Sequence, residues 1–416
     1  MSHSNNSIWR WLVEAYRVCR REFTLTFNDK GVVIFFLLLC AVYPVLYSLI
    51  YNTEVEHNMP VVVIDDCRSQ LSRELARRLD ATPEVAVVAY AATMQEARDM
   101  LARKQAYGIV AIPREFEQKV GLRQQAHITV VADMGLMFRY KNILMAATNV
   151  TQEMGADILH EAVAPVLYNH GAVIENRQVP IGNTGMGLAS AILLFILPLV
   201  IQQSMLLGIG MLHGGSIERR RRNAGIDPLE VEARPGATLV GKMVCYQFIY
   251  ILPVIYALYL VPVLFDFPQN ASLFSIVVLA VPFIIASAMM GQVLRAFVNE
   301  RESVFLLMVF TSVVFVFLTG ASWPRHEMSR FWLAVGDCVP ATWMCNAYVL
   351  MQSDGATLRS VTHQLSMLWL HCGIFTALAY VVERWVNRPR YRNWQEKAAS
   401  SPTSLQKYDL YKHGIG

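Results

Sequence analysis

Charge is scarce in this chain: 16% of its 416 residues are Asp, Glu, Lys or Arg, against 54% hydrophobic residues. Mean hydropathy is positive. A soluble domain carries about 25% charged residues, so a soluble protein is excluded and a membrane protein is indicated. The net charge of +4 points to no acidic partner and no nucleic acid. Seven scattered cysteines, an odd number, form no disulfide framework. Cys338 and Cys345 are near enough in sequence to pair if the loop bends, but spacing alone supplies no disulfide geometry, and unpaired thiols are the simpler reading.

Catalytic signatures are also missing. "GATLVGKM" (236–243) reads G-x-x-x-x-G-K, yet Met243 stands where a phosphate loop needs a hydroxyl for magnesium. No buried strand precedes it, and an apolar run of membrane length follows. "HEMSR" (326–330) places Arg330 where a zinc-protease helix requires its second histidine. No catalytic residue, metal ligand or cofactor is therefore assigned, and the chain is not read as an enzyme.

What the chain does hold is apolar runs. A bilayer core needs about 20 such residues per helix, and six charge-free runs of that order occur, at 31–53, 186–212, 243–265, 268–294, 303–324 and 360–382. Arginine and lysine resist translocation when they flank a span. They crowd the first thirty residues, the loop of about 214–242 with Arg219, Arg220, Arg221 and Arg222, and the tail from Arg384 to Lys407 and Lys412. The short loop "DFPQNA" has none. Both termini are therefore expected in the cytoplasm, and no cleavable signal peptide is read, because a polar stretch of about thirty residues precedes the first run.

Residues 54–182 form the large segment outside the membrane, expected on the extracytoplasmic side. Runs such as "VVVID", "VAVVAY", "GIVAI" and "HITVVAD" alternate with amphipathic stretches, which predicts a small α/β domain. Asp65, Asp66 and Asp133 fall at strand ends, where ligands often bind in α/β folds. Aspartates there also cap the following helix. Near the N-terminus, Ile8, Leu12, Ala15, Tyr16, Cys19 and Phe23 follow helical spacing, with Arg10, Glu14, Arg17 and Arg21 opposite. That pattern predicts an interfacial helix over 1–30, anchored by Trp9 and Trp11.

The order of these parts resembles the permease subunit of type 2 ABC exporters with a large extracytoplasmic domain between the first two transmembrane helices. "REFTLTFNDKGVVIFFLLLCAVYPVLY", "PVVVIDDCRSQLSRELARRL", "YGIVAIPREFEQKV" and "LTGASWPRHEMSRFWLAVGDCVPATW" are similar to the family's approach to the first span, first strand and helix, Ile-Pro strand, and outer hairpin. "SIERRRRNAGIDPLEV" departs from the family's Glu-Arg-Glu and Gly-Thr pattern: Glu218 and Gly225 keep their places, but Ile226 replaces the threonine.

The resemblance implies an α-helical membrane protein of six transmembrane helices, the first at 31–53 and the rest within 183–390, with an inserted α/β domain, an outer hairpin of about 322–360 and a cytoplasmic tail at 391–416. It implies an inner-membrane permease, working as a dimer with a second copy or a similar permease, and powered by a separate ABC ATPase. A periplasmic adaptor and an outer-membrane channel are further implied partners. At the Gly-Lys pair, Gly241 is expected to allow close helix approach and Lys242 to snorkel to the headgroups.

ATPase contact is expected at Glu218, Arg219, Arg220, Asp227, Glu230, Glu300, Arg301 and Glu302. The arginine run serves equally well as an anchor to anionic membrane lipid. Polar residues inside spans are the default substrate-path candidates, here Gln202, Gln203, Ser204, Thr311, Ser312 and Thr319, with interhelical hydrogen bonding as the competing role. His363 and His371 sit near the last run as possible relays or bundle bonds. With no Asp, Glu, Lys or Arg inside the runs, an apolar or amphipathic cargo fits better than an ion-coupled one. A membrane-anchored sensor or assembly protein, using the α/β domain to bind, is the alternative function.

Overall fold

A computed structural model describes residues 2–50, 57–132, 137–163, 188–223, 225–267 and 269–399. Asp133, Pro268, Lys407, Lys412, the start of the second apolar run and the stretch 164–182 lie outside the described residues. The chain divides into two compact units, Met1–Asn52 with Pro180–Gly416, and Thr53–Val179.

In the larger unit, six helices among the described residues are long and apolar enough to cross a membrane: Lys30–Ile50, Ile192–Arg222, Pro235–Leu264, Leu273–Phe297, Arg301–Leu318 and Thr362–Glu396. They are called the first to sixth spans. The second is the central one, the most deeply buried of the six. It is packed by the first, fourth and fifth spans and by the hairpin helix Pro340–Gln352. Phe36 of the first span is sealed against Tyr246 and Tyr250 of the third, edge to face, with centroids 5.9 and 5.1 Å apart, a favoured aromatic geometry.

One helix irregularity is matched by a side chain from a neighbour. The third span widens into a π-helical turn at Tyr256–Leu260, and the Leu258 carbonyl there accepts the Tyr348 hydroxyl at 2.7 Å. Irregular backbone of this kind is tolerated in apolar surroundings when a neighbour supplies the missing bond. Cys338 and Cys345 are both free thiols, donating to the Ala334 and Phe195 carbonyls respectively.

The N-terminal helix Ser2–Asn28 lies along the start of the third span. Ala15, Val18, Glu22 and Thr26, spaced three and four apart, are its buried edge. Of the expected apolar face, Ile8, Leu12, Tyr16 and Phe23 stay exposed, joined by Trp9 and Phe27, while Ala15 turns inward. The helix thus has one edge for the bundle and an apolar stripe beside it, the arrangement an interfacial helix requires.

The smaller unit is an α/β sheet with strand order β2-β1-β3-β4, where β1 is Met59–Asp65, β2 Val85–Tyr90, β3 Gly108–Ile112 and β4 Thr129–Ala132. The first three strands are parallel and β4 is antiparallel to β3. Helix Gln70–Asp80 follows β1, and its partner Met137–Val163 packs beside it. Val61 and Val63 enter the core with Leu75, Leu79 and Ile143, while Val62 and Ile64 enter the other face with Ala97 and Ile109. Burial on both faces explains the unbroken valine run of β1. Asp65 accepts from the Cys67 and Arg68 amides and the Ser72 hydroxyl, so this strand-end aspartate shapes the turn into the next helix.

Candidate functional site

The chemistry of the larger unit gathers at the end of the bundle that carries the arginine run. It begins at Gly241. A Cβ there would overlap the Ala15 carbonyl oxygen and stand 2.9 Å from Val18 Cβ, so glycine is what lets the third span touch the N-terminal helix. The next residue does not snorkel. Lys242 is only 9% exposed, with Nζ 3.4 Å from Glu22 Oε1. The Tyr246 hydroxyl donates to the same oxygen at 2.5 Å, and Arg21 stands 3.8 Å from the other. Burial is the largest influence on the Glu22 carboxyl and acts to raise it, but Lys242, Arg21 and the Tyr246 bond outweigh burial and hold it below the ordinary glutamate range.

Ionisable groups also stand on the fourth and sixth helices, just beyond their charge-free runs. Helix continues past the apolar runs, so Arg295 and Glu383 are buried inside it and pair with each other. Asn387 donates to Glu383 at 3.3 Å. Each of Lys242, Arg295 and Glu383 lies one position outside an apolar run, and a helix that overshoots the run by one turn buries it.

The loop after the second span is folded around Asp227. Its carboxylate accepts from Arg219 at 2.8 and 3.1 Å, the Ser216 hydroxyl at 2.7 Å, Arg21 at 3.1 Å and the Leu229 amide at 3.1 Å. Burial would raise this carboxyl, and the Arg219 and Ser216 bonds more than offset it, leaving it below the usual range. Arg220 is buried, pairs with Glu230 and stacks 3.8 Å above the Tyr391 ring. Gly225, at φ +88°, lets the tail helix Arg388–Ala399 approach: an added Cβ would stand 2.9 Å from the Gln395 nitrogen.

The remaining coupling candidates meet across two loops. Arg221 binds Glu300 at 2.7 Å, and Arg301 binds Asp29 at 2.5 Å and Glu218 at 3.7 Å. Asp29 itself caps the first span by accepting from the Gly31 and Val32 amides. Glu302 is exposed in the first turn of the fifth span. Arg220 and Asp227 thus serve the loop's own packing, whereas Glu218, Arg219, Arg221, Glu300 and Glu302 reach its surface. Residues not picked out from the sequence are Glu22, Asp29, His213, Arg295 and Glu383. Glu22 had a signal, since it continues the Ala15 and Val18 stripe.

The substrate-path candidates split into two groups. Gln202 accepts the Ala341 amide at 2.7 Å and the Ser287 hydroxyl at 3.3 Å. Ser204 joins Cys40, Tyr250 and the Ile201 carbonyl. All of these but the Ser204 bond to Ile201 run between helices. Gln203 meets Thr311 at 3.5 Å, while Thr311, Ser312 and Thr319 mainly bond back to carbonyls of their own helix. His371 is held between the Met367 and Asp337 carbonyls, and the His363 ring stands against Trp343.

No curated protein matches the chain. A family model does: that of the ABC-2 family transporter protein, over residues 30–381. Since the match covers most of the chain, this protein belongs to the ABC-2 transporter family and is a multi-pass membrane permease of an ABC transporter.

Proposed function

We propose that this permease is the transmembrane half of an ATP-driven exporter that moves an apolar or amphipathic substrate outward, with ATP hydrolysed by a separate subunit. The family match supports the transport role, and the observation that carries the coupling mechanism is the braced end of the bundle. There the N-terminal helix, the 223–234 loop, the 298–300 turn and the tail are joined by Lys242–Glu22, Arg21–Asp227, Arg221–Glu300, Arg301–Asp29 and Arg388 to the Ala233 carbonyl. An element braced in this way moves as a rigid body when pushed, the requirement for passing closure of an ATPase to distant helices.

In this reading the braced end faces the cytoplasm, both termini lie there, and the α/β unit lies outside, following the arginine distribution. Glu218, Arg219, Glu300 and Glu302 present mixed charge to the ATPase. Two permeases pair symmetrically, the commoner arrangement, and the outer unit engages a periplasmic adaptor. Gln203 and Thr311 line the route, while Gln202 and Ser204 hold the helices together. The test is nucleotide hydrolysis in liposomes containing the complex. Reversing Glu300 and Glu302 to lysine should leave the permease folded and abolish cargo-stimulated turnover; unchanged stimulation would refute this docking surface.

A further inference from the structure

A cleft of about 620 Å3 opens at the braced end, between the N-terminal helix, the second span, the 230–234 stretch and the start of the tail. His213, Ser216 and Arg220 line it from one face of the second span, as their spacing of three and four residues requires. His213 is 6% exposed and Arg220 1%. Each has a nitrogen buried without a partner, His213 Nε2 and Arg220 Nε. The rest of the Arg220 guanidinium is occupied by Glu230, the Gly225 carbonyl and the Tyr391 ring. A buried polar nitrogen left without a partner costs about 1–3 kcal/mol, so two in one cleft mark a place that something else completes.

Charge says what that is. The lining as a whole carries seven Arg and Lys side chains against five Glu, hence two positive charges in excess. A ligand that accepts from Arg220 Nε, meets His213 Nε2 in its protonated tautomer and brings negative charge fits this lining, and neither water nor a cation does all three.

We propose that the cleft binds a phosphate group, with His213 Nε2–H and Arg220 Nε–H donating to its oxygens. Charge-assisted bonds of this kind are the strong ones, and arginine suits phosphate geometry. The volume exceeds that of a bare phosphate, leaving space for the organic part of a phosphate ester. The exposed apolar stripe of the N-terminal helix, which supplies Glu14, Val18 and Arg21 to the cleft wall, brings a lipid headgroup within reach as well as a soluble phosphate. This site stands independently of the direction of transport and of the ATPase.

The test uses the purified full chain in detergent. Inorganic phosphate is titrated against chloride at equal ionic strength and followed by thermal unfolding, and retention of phosphatidic acid against phosphatidylcholine is followed by native mass spectrometry. His213→Leu should weaken binding about tenfold, the worth of one hydrogen bond to a charged group. Arg220→Lys, which keeps the charge, should do the same, and Arg384→Ala, exposed and outside the cleft, should change nothing. Phosphate binding lost in both variants assigns a soluble ligand; phosphatidic acid retention lost in both assigns a headgroup. If neither probe exceeds its control, or both variants bind like the parent, the site does not exist.

Discussion

The braced end and the middle of the bundle bury polar groups in opposite ways. In the middle, the work is done by neutral amides and hydroxyls: Gln202, Ser204, Ser287 and the Ala341 amide. At the braced end it is done by full charges, Glu22 with Lys242 and Arg295 with Glu383. The difference follows from the solvent at each level. A charge at mid-span is costly and must stay away from hydrocarbon, whereas near a helix end it retains access to water and to loop partners. A neutral layer bends and slides cheaply, while a charged one resists rearrangement, because separating a buried pair strands both members. The contrast suits the transport role proposed above, in which one end would receive force and the centre would open.

The largest effect expected from breaking this contrast comes at Glu22. Glu22→Ala leaves Lys242 buried without its partner and should cost about 3–5 kcal/mol, read as lost folded yield and lower thermal stability. Adding Lys242→Met should restore much of the loss. If Glu22→Ala is silent, the pair is not buried as described. Gly241→Val comes next. Its added carbons collide with the Ala15 carbonyl and Val18, which should cost about 1–3 kcal/mol by overpacking and free the N-terminal helix, seen as faster proteolysis within the first thirty residues. Gln202→Leu probes the neutral layer. Interhelical bonds within a membrane are worth about 0.6 kcal/mol on average, so the loss should be clearly smaller than at Glu22. An equal loss would erase the distinction between the two regions.

Acid should separate the regions further. The Asp227 carboxyl lies below the ordinary value in the folded chain, so its stabilising effect is present above about pH 4, the unfolded value, and is lost as pH falls through the folded one. Asp227→Asn should remove that acid-dependent step from a thermal-stability profile. The smallest stability effect belongs to Arg221→Ala. Its pair with Glu300 is half exposed, and such pairs contribute about 0–1 kcal/mol.

Much of this arrangement was legible in the chain. Apolar length placed the six long apolar helices among the described residues, because a helix long enough to cross a bilayer leaves a long run. The apolar runs placed β1 and β3, because strands covered on both faces need no alternation, and they placed β2 although it is an edge strand with Val88 and Tyr90 exposed. Gly241 was legible as a close approach through the family resemblance, which places a Gly-Lys pair where the loop re-enters the helices. Lys242 was misread because a lysine at the border of a run looks alike whether it snorkels or pairs, and its partner Glu22 is distant in sequence. Arg295 and Glu383 escaped for the same reason, lying at the edges of apolar runs that the helices overshoot. Arg220 read as one of four equivalent arginines, and only packing distinguishes it, since its neighbour Arg221 faces outward and Arg220 lies under Tyr391.

ATP hydrolysis by the complex purified through this chain, compared with the chain purified alone, tests the division between lever and motor most directly. Turnover should appear only when the second subunit is present and should lose its response to cargo with Glu300 and Glu302 reversed to lysine. Turnover by the isolated chain, or a complex that responds to cargo unaltered by the reversal, would contradict it.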